Sequence, residues 1–387
     1  MRSFGRTSFG RTSFGRTARG VSLQGKSSAP SLLVLDDYLG IAAKHFGHLQ
    51  PPKLQVEISD TYLPQQTAEE KRSLVEKLHP YDIISTMRER TPFSGELLRQ
   101  LPNLKLLLCT GTQFETFDLE TAKDLGITVA SALGRGRSDG TQHKQDIRKG
   151  GSHPATHHTW AMILALARNI AADDASLKTG GWQSDMAIGL SGKTLGVVGL
   201  GRLGAAVARI GSLAFGMKIK CWSSSLDQAK ADEMAVKLGL PIVDEDGDKT
   251  FKAVSKEELF ATADVVTLHY VLSERSRGLV GTKELAAMKK SALLVNTSRG
   301  ALIDETALLE ATNEGSIRGV ALDVFESEPL PADSPWRSQD WGKGKSRVLL
   351  TPHMGYVEEG IMNNWYAEQA ENVERWLDGK DVLHQLV

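Results

Sequence analysis

Cysteine is nearly absent: Cys109 and Cys221 are the only two among 387 residues. Each stands in a short β-favouring run, KLLLC and KIKCW, and two thiols so placed make no disulfide framework. We read both as reduced core thiols, which fits an intracellular compartment. A surplus of charge is also missing. Lys and Arg total 46 against 47 Asp and Glu, a formal net charge of −1, so nothing favours nucleic acid or an anionic membrane as partner. Long apolar runs are missing too. Segments such as Trp160 to Ala167 fall short of the roughly 20 residues that a spanning helix requires. What remains is an ordinary soluble composition, 41% hydrophobic and 24% charged, in a chain long enough for two domains.

One segment lacks acids altogether. Met1 to Pro30 holds SFGRT three times, with six basic residues and five glycines, and reads as a disordered tail. Its Arg- and Ser-rich composition also fits a mitochondrial transit peptide, but the repeat places Phe4, Phe9 and Phe14 on no common helical face. The cytosol ranks ahead.

What is present is organised around Ser191 to Asp227. Leu195 to Val198 are β-favouring and run into Gly199-Leu200-Gly201-Arg202-Leu203-Gly204, after which Ala205, Ala206, Val207, Ile210 and Leu213 continue at helical spacing. In that strand-turn-helix setting the three glycines read as a dinucleotide fingerprint. Gly199 permits the tight turn, Gly201 the approach of a pyrophosphate, and Gly204 the packing of helix on strand. The helix N-terminus adds partial positive charge. The place usually taken by a ribose-binding acid falls on Ser223, followed by Ser224 and Ser225. No arginine follows either, although Lys220 and Lys230 are near, so NAD and NADP both stay open.

Before the fingerprint, strands at SLLVLDDY, Tyr81 to Thr86, Lys105 to Thr110 and Ile127 to Ser131 alternate with helical stretches at Glu69 to Leu78, Gly95 to Leu101 and Leu119 to Leu125. Leu133 to Gly151 interrupts this alternation as a polar, basic run without structure, read as a surface loop. His143, His153, His157 and His158 lie in or near it, but no carboxylate or cysteine completes a metal-ligand spacing, so no metal is expected. Trp160 to Ile170 reads as an apolar helix linking two domains. Beyond the fingerprint, Ser255 and Glu258 form a capping box. Asp264 to Leu268, Leu293 to Asn296, Gly319 to Leu322 and Val348 to Leu350 are strands, with a helix from Asp304 to Glu314 stopped by Gly315. Such alternation implies parallel sheets with ligand at the carboxyl ends of the strands. Three of those ends carry ionisable residues: Arg299 in NTSRG, Glu328 in LDVFESEP and His353 in LTPHMGY.

VVGLGRLG, LVNTSRGALID, GVALDVFESEP and TPHMG occur in order, and over essentially all of Ser31 to Val387 the chain resembles the D-isomer-specific 2-hydroxyacid dehydrogenase family. The resemblance implies an α/β fold of two Rossmann-like, doubly wound parallel-sheet domains with the active site in the cleft between them. Residues 31–155 with 355–387 would form the substrate-binding domain and 156–354 the dinucleotide-binding domain, the C-terminal helix returning to the first. It also implies roles: Arg299 for the substrate carboxylate and oxo group, His353 as acid and base, and Glu328 as hydrogen-bond partner of the imidazole. Asp323 is similar to the family's nicotinamide-carboxamide partner, with Thr297 near the same ring. Backbone N–H groups around Gly111 and Thr112 resemble the loop that binds the substrate carboxylate.

The chemistry is reasonable on its own terms. Hydride arriving at a carbonyl carbon puts charge on oxygen, which a histidine near neutral pKa can protonate, and a guanidinium matches a carboxylate bidentately. Taken singly, Arg299 also reads as a surface ion pair, Glu328 as a loop acid, His353 as a turn residue and Asp323 as structural. Arg88 and Arg90 are expected to be solvated rather than in the cleft. The chain departs from the family pattern at Leu133 to Gly151, at His157 where an acid is common, at Val271 in place of a proline, and at Tyr356 where a second glycine is common.

The function expected is therefore NAD(P)-dependent interconversion of a 2-oxo acid and a D-2-hydroxy acid, with a dinucleotide-sensing, corepressor-like binding protein as the alternative. The short stretch after His353 argues against a feedback-regulated phosphoglycerate dehydrogenase, and Glu328 in place of glutamine against a formate dehydrogenase-like site. The partners expected are a small 2-oxo or 2-hydroxy acid and, by resemblance, a second copy in a homodimer.

Overall fold

The computed structural model describes residues 29–49, 51–112, 114, 116–141, 153–338 and 340–387. The readings of the first 28 residues and of His143 lie outside them.

Strands β1 (Ser31–Val34), β2 (Gln55–Ile58), β3 (Ile83–Ser85), β4 (Leu106–Thr110) and β5 (Thr128–Ala132) form one parallel sheet in the order β2-β1-β3-β4-β5. A second parallel sheet holds β6 (Thr194–Val198), β7 (Lys218–Trp222), β8 (Phe251–Ala253), β9 (Val265–Leu268), β10 (Leu293–Asn296), β11 (Gly319–Leu322) and β12 (Arg347–Leu350). Its order is β12-β11-β10-β9-β6-β7-β8, so the winding reverses between β6 and β9. A crevice opens at such a reversal, outside the carboxyl ends of the strands. The inner strands read as unbroken apolar runs because helices cover both faces.

The C-terminal helix Glu359–Leu377 packs on the first sheet, where Trp365, Tyr366, Ala370 and Val373 join Leu32, Val34, Ile83, Leu106 and Leu108 in one core. Gln369 pins it there: its amide donates to the Thr86 carbonyl at 3.0 Å and accepts from the Ser85 hydroxyl at 3.0 Å. The chain thus returns from the second sheet to the first.

Three expectations need correction. The linking helix runs Pro154–Ala167, earlier than the apolar pattern, because His153 Nδ1 accepts the Ala155 N–H at 3.2 Å and Pro154 supplies a preset first turn. It stops before Asn169, whose φ is +58°, and a separate helix, Ile170–Lys178, follows. Second, β2 and β8 escaped the sequence reading. Both are short edge strands, β2 largely open to solvent and β8 buried only at Phe251, with little hydrophobic alternation to mark them.

The third concerns the polar run after β5. Its described part, residues 133–141, is no free loop but lies along the C-terminal helix. Backbone N–H groups of Leu133, Gly134, Arg135 and Gly136 all donate to the Glu368 carboxylate, those of Gly134 and Gly136 at 3.1 and 2.6 Å. Left-handed φ values of +81° and +80° at these two glycines let successive N–H groups converge on one anion. Ser138 N–H donates to Glu371 at 2.7 Å, and Arg137 Nη1 to Glu374 at 3.0 Å. Three glutamates on one helix face therefore hold the segment, a pattern that its own composition does not reveal.

Candidate active site

The glycine turn lies at the end of β6. Gly199 has φ +98°, and a Cβ there would sit 2.6 Å from the His269 carbonyl oxygen at the end of β9. A Cβ on Gly204 would sit 2.0 Å from the Gly199 oxygen, so the helix Arg202–Phe215 rests directly on the turn. Gly201 differs. It precedes this 14-residue helix without a side-chain cap, and a Cβ added to it would meet nothing within 4 Å. Arg202 is exposed and Leu203 half-buried beside it. First-turn N–H groups facing open space at a strand's carboxyl end are what a dinucleotide pyrophosphate requires, and the cradle fits that group.

At the end of β7, Ser223 is half-buried and Ser224 exposed. Ser224 Oγ lies 2.7 Å from the Tyr270 hydroxyl, and the Tyr270 ring stacks on Trp222 at 5.8 Å. Asp227, the acid nearest the usual ribose position, instead caps the helix Gln228–Lys237 by accepting the Lys230 N–H at 2.9 Å. Lys220 pairs with Glu258 at 2.9 Å, and Lys230 Nζ donates to the Ser225 carbonyl at 2.6 Å.

The neighbouring strands β10, β11 and β12 end in three interlocked loops. After β10, Asn296 accepts the Ser298 N–H at 3.1 Å and donates to the Arg299 carbonyl at 2.9 Å. Gly300 is obligatory there, because a Cβ would fall 2.0 Å from the Phe325 carbonyl carbon. Thr297 Oγ1 lies 2.7 Å from Thr159 Oγ1. The Arg299 guanidinium donates through Nη1 to the Ser298 carbonyl and through Nη2 to Glu89, each at 2.8 Å. After β11, one Glu328 oxygen accepts the Phe325 N–H at 2.9 Å and the other lies 2.6 Å from His353 Nδ1. His353 has φ +54°, and its N–H donates to the Asp323 carbonyl at 2.7 Å. With Nδ1 engaged, Nε2 is the ring nitrogen left for a substrate. The His353 and Glu328 side chains are 26% and 32% exposed, so the pair is reachable.

Asp323 carries this arrangement. Its buried carboxylate accepts from the Thr351 hydroxyl at 2.6 Å, from Met354 N–H at 2.7 Å and from Gly355 N–H at 3.0 Å, with His158 Nε2 also at 3.0 Å. Burial pushes its pKa up, but the hydrogen bonds from His158 and Thr351 outweigh it and hold the carboxyl below the usual aspartate range. Three contacts fall on Oδ1 and one on Oδ2, all within the protein. Asp323 is thus first of all the staple of the loop that presents His353. His158, its partner, was legible only as one of a cluster of histidines.

Two expectations fail here. The Gly111 N–H is not available to a substrate: it donates to the Ala132 carbonyl at 2.8 Å, extending the β4–β5 ladder by one residue. Thr112, next in the chain, is exposed. Nor are Arg88 and Arg90 solvated. The Arg88 guanidinium carbon lies 5.4 Å from the Tyr356 ring and 5.6 Å from that of Trp365, and that of Arg90 lies 4.5 Å from Tyr38 and 5.8 Å from Tyr356. Tyr356 in turn sets its ring at 73° to that of His353, 5.3 Å away. These side chains wall the space beside the imidazole. Glu89, between the two arginines, was not singled out at all.

Comparison with known proteins places this geometry in context. Residues 160–355 match the model of the D-isomer specific 2-hydroxyacid dehydrogenase, NAD binding domain. The chain is 34% identical over 312 residues to the D-3-phosphoglycerate dehydrogenase of Methanocaldococcus jannaschii, covering 80% of this chain and 52% of the relative. It is 32% identical over 334 residues to the glyoxylate reductase of Aeropyrum pernix, covering 84% and 87%. Among solved structures, a phosphoglycerate oxidoreductase from Vibrio cholerae superimposes with a TM-score of 0.72 at 31% identity, over 90% of this chain and 99% of that one. The chain spans about half the length of the D-3-phosphoglycerate dehydrogenases that it matches.

Proposed function

The chain belongs to the D-isomer specific 2-hydroxyacid dehydrogenase family, and from that premise we propose that it interconverts a 2-oxo acid and a D-2-hydroxy acid with NAD or NADP. The observation that carries this reading is the His353–Glu328 pair, together with Arg299 in the loops that follow three adjacent strands of the sheet that bears the glycine turn. A nicotinamide bound there supplies or accepts the hydride.

The protein's own groups do the rest. Arg299 grips the substrate carboxylate and polarises the oxo group, since a guanidinium presents paired N–H donors to a carboxylate. Thr112, exposed after β4, would add a further contact to the substrate carboxylate. His353 Nε2 gives a proton to the substrate oxygen as charge develops on it, and takes one back in the other direction. Glu328 orients the ring through its contact with Nδ1. Gly199, Gly201, Arg202, Leu203 and Gly204 would hold the pyrophosphate, Ser223 and Ser224 the adenosine ribose, and Thr297 the nicotinamide side, with Asp323 behind it.

The test is loss of reduced-nicotinamide absorbance with NADH and with NADPH, against glyoxylate, hydroxypyruvate and the 2-oxo acid of 3-phosphoglycerate. His353→Ala should lower kcat by ~10²–10⁴-fold. Turnover indifferent to that change would overturn the reading.

A homodimer fits the same picture. The helix Ile170–Lys178 has no buried residue, and Ile170, Leu177, Trp182 and Met186 are all exposed along it and the segment that follows. Four exposed large apolar side chains spread over residues 170–186 favour a second copy of the chain as their cover, which light scattering on the eluting protein would detect. The two buried thiols, unbridged, favour a reducing compartment such as the cytosol. Among the described residues no helix is long and apolar enough to cross a membrane.

A further inference from the structure

Glu89 has no part in the chemistry above, yet it stands at its centre. The loop after β3 is pinned where the Arg88 N–H donates to Thr110 Oγ1 at 2.8 Å, and Arg88 adopts φ +58°, a conformation that a non-glycine residue keeps only when its surroundings impose it. The next residue reaches across to the other sheet's loop. Glu89 Oε1 accepts from Arg299 Nη2 at 2.8 Å, while Oε2 lies 3.4 Å from Arg88 Nε. The Glu89 and Arg299 side chains are 19% and 33% exposed.

Nη2 is shared by both edges through which a guanidinium grips a carboxylate with two parallel bonds. Glu89 therefore stands where a substrate carboxylate would stand. We propose that Glu89 is an internal competitor for the substrate carboxylate at Arg299: it holds the guanidinium in place until substrate takes over, and then turns to Arg88. The assignment rests on Arg299 being the carboxylate anchor.

The magnitudes permit such an exchange. A single-donor ion pair that remains partly solvated is weak, whereas a substrate offers a bidentate carboxylate together with an oxygen for His353. A 2-oxo amide or ester lacks the charge to displace Glu89, so the residue also selects for the free acid. The Arg88 contact already in place keeps the displaced carboxylate from being stranded without a partner.

The experiment uses the full chain and Glu89→Gln, which keeps the shape and removes the charge. KM for the best 2-oxo acid should fall by roughly three- to ten-fold, with kcat shifting less than KM. An unchanged or higher KM overturns the proposal. Calorimetric titration of oxalate, a carboxylate probe that cannot be turned over, should show tighter binding to the variant, and equal or weaker binding likewise overturns it. If the wild type reduces no 2-oxo acid, the dehydrogenase reading fails, while the oxalate titration still decides the role of Glu89.

Discussion

His353 Nδ1 lies 2.6 Å from one oxygen of Glu328, whose other oxygen accepts the Phe325 N–H at 2.9 Å. The carboxylate thereby fixes which imidazole nitrogen faces the substrate, and is itself held by the loop that follows β11. Glu328→Gln keeps the hydrogen-bonding shape but removes the negative charge beside the ring that exchanges the proton. We expect kcat to fall by at least about ten-fold, with KM moving less; steady-state kinetics at several pH values check this, and an unaltered kcat would reduce Glu328 to a loop acid.

The two later glycines of the fingerprint should respond differently. At Gly204 an added methyl would meet backbone 2.0 Å away, which cannot be relieved by a side-chain move. Gly204→Ala should cost about 1–3 kcal/mol of stability. At Gly201 nothing lies within 4 Å, so Gly201→Ala should leave thermal unfolding nearly unchanged yet weaken nucleotide binding. Calorimetric melting beside a nucleotide titration separates the two.

Asp323 makes stability sensitive to acid. Its folded pKa lies below the unfolded value, so the unfolded chain takes up the proton first as pH falls. The contribution is complete above the usual aspartate value, about 3.9, and is lost as pH drops through the lower folded value. Asp323→Asn should destabilise the protein by about 3 kcal/mol near neutral pH, since several buried donors lose a charged acceptor. It should also flatten the acid limb of the stability curve. Denaturant titrations across pH 3 to 7 would show whether that limb persists.

Glu368 should govern the segment after β5. Replacing it with Gln turns part of an all-acceptor group into a donor facing four backbone N–H groups. We expect a loss of about 1–3 kcal/mol and faster tryptic cleavage at Arg135 and Arg137. Cleavage at the wild-type rate would mean that the remaining contacts to Glu371 and Glu374 suffice.

Much of the fold was legible from local pattern. The glycine turn, the parallel strands and the strand ends bearing Arg299, Glu328 and His353 follow from periodicity and from the φ values that only glycine takes freely. These properties reside in a few consecutive residues. Tertiary structure decided everything that depends on which distant segments become neighbours. Glu89 and Arg299 are 210 residues apart, and His158 and Asp323 are 165 apart. Strand order and register bring each pair together, and neither leaves a mark on local composition. The same reason explains the polar run after β5, whose stability lies in three glutamates of a helix more than 200 residues onward. It also explains why Gly111, a plausible donor in isolation, has its N–H consumed by the adjacent strand.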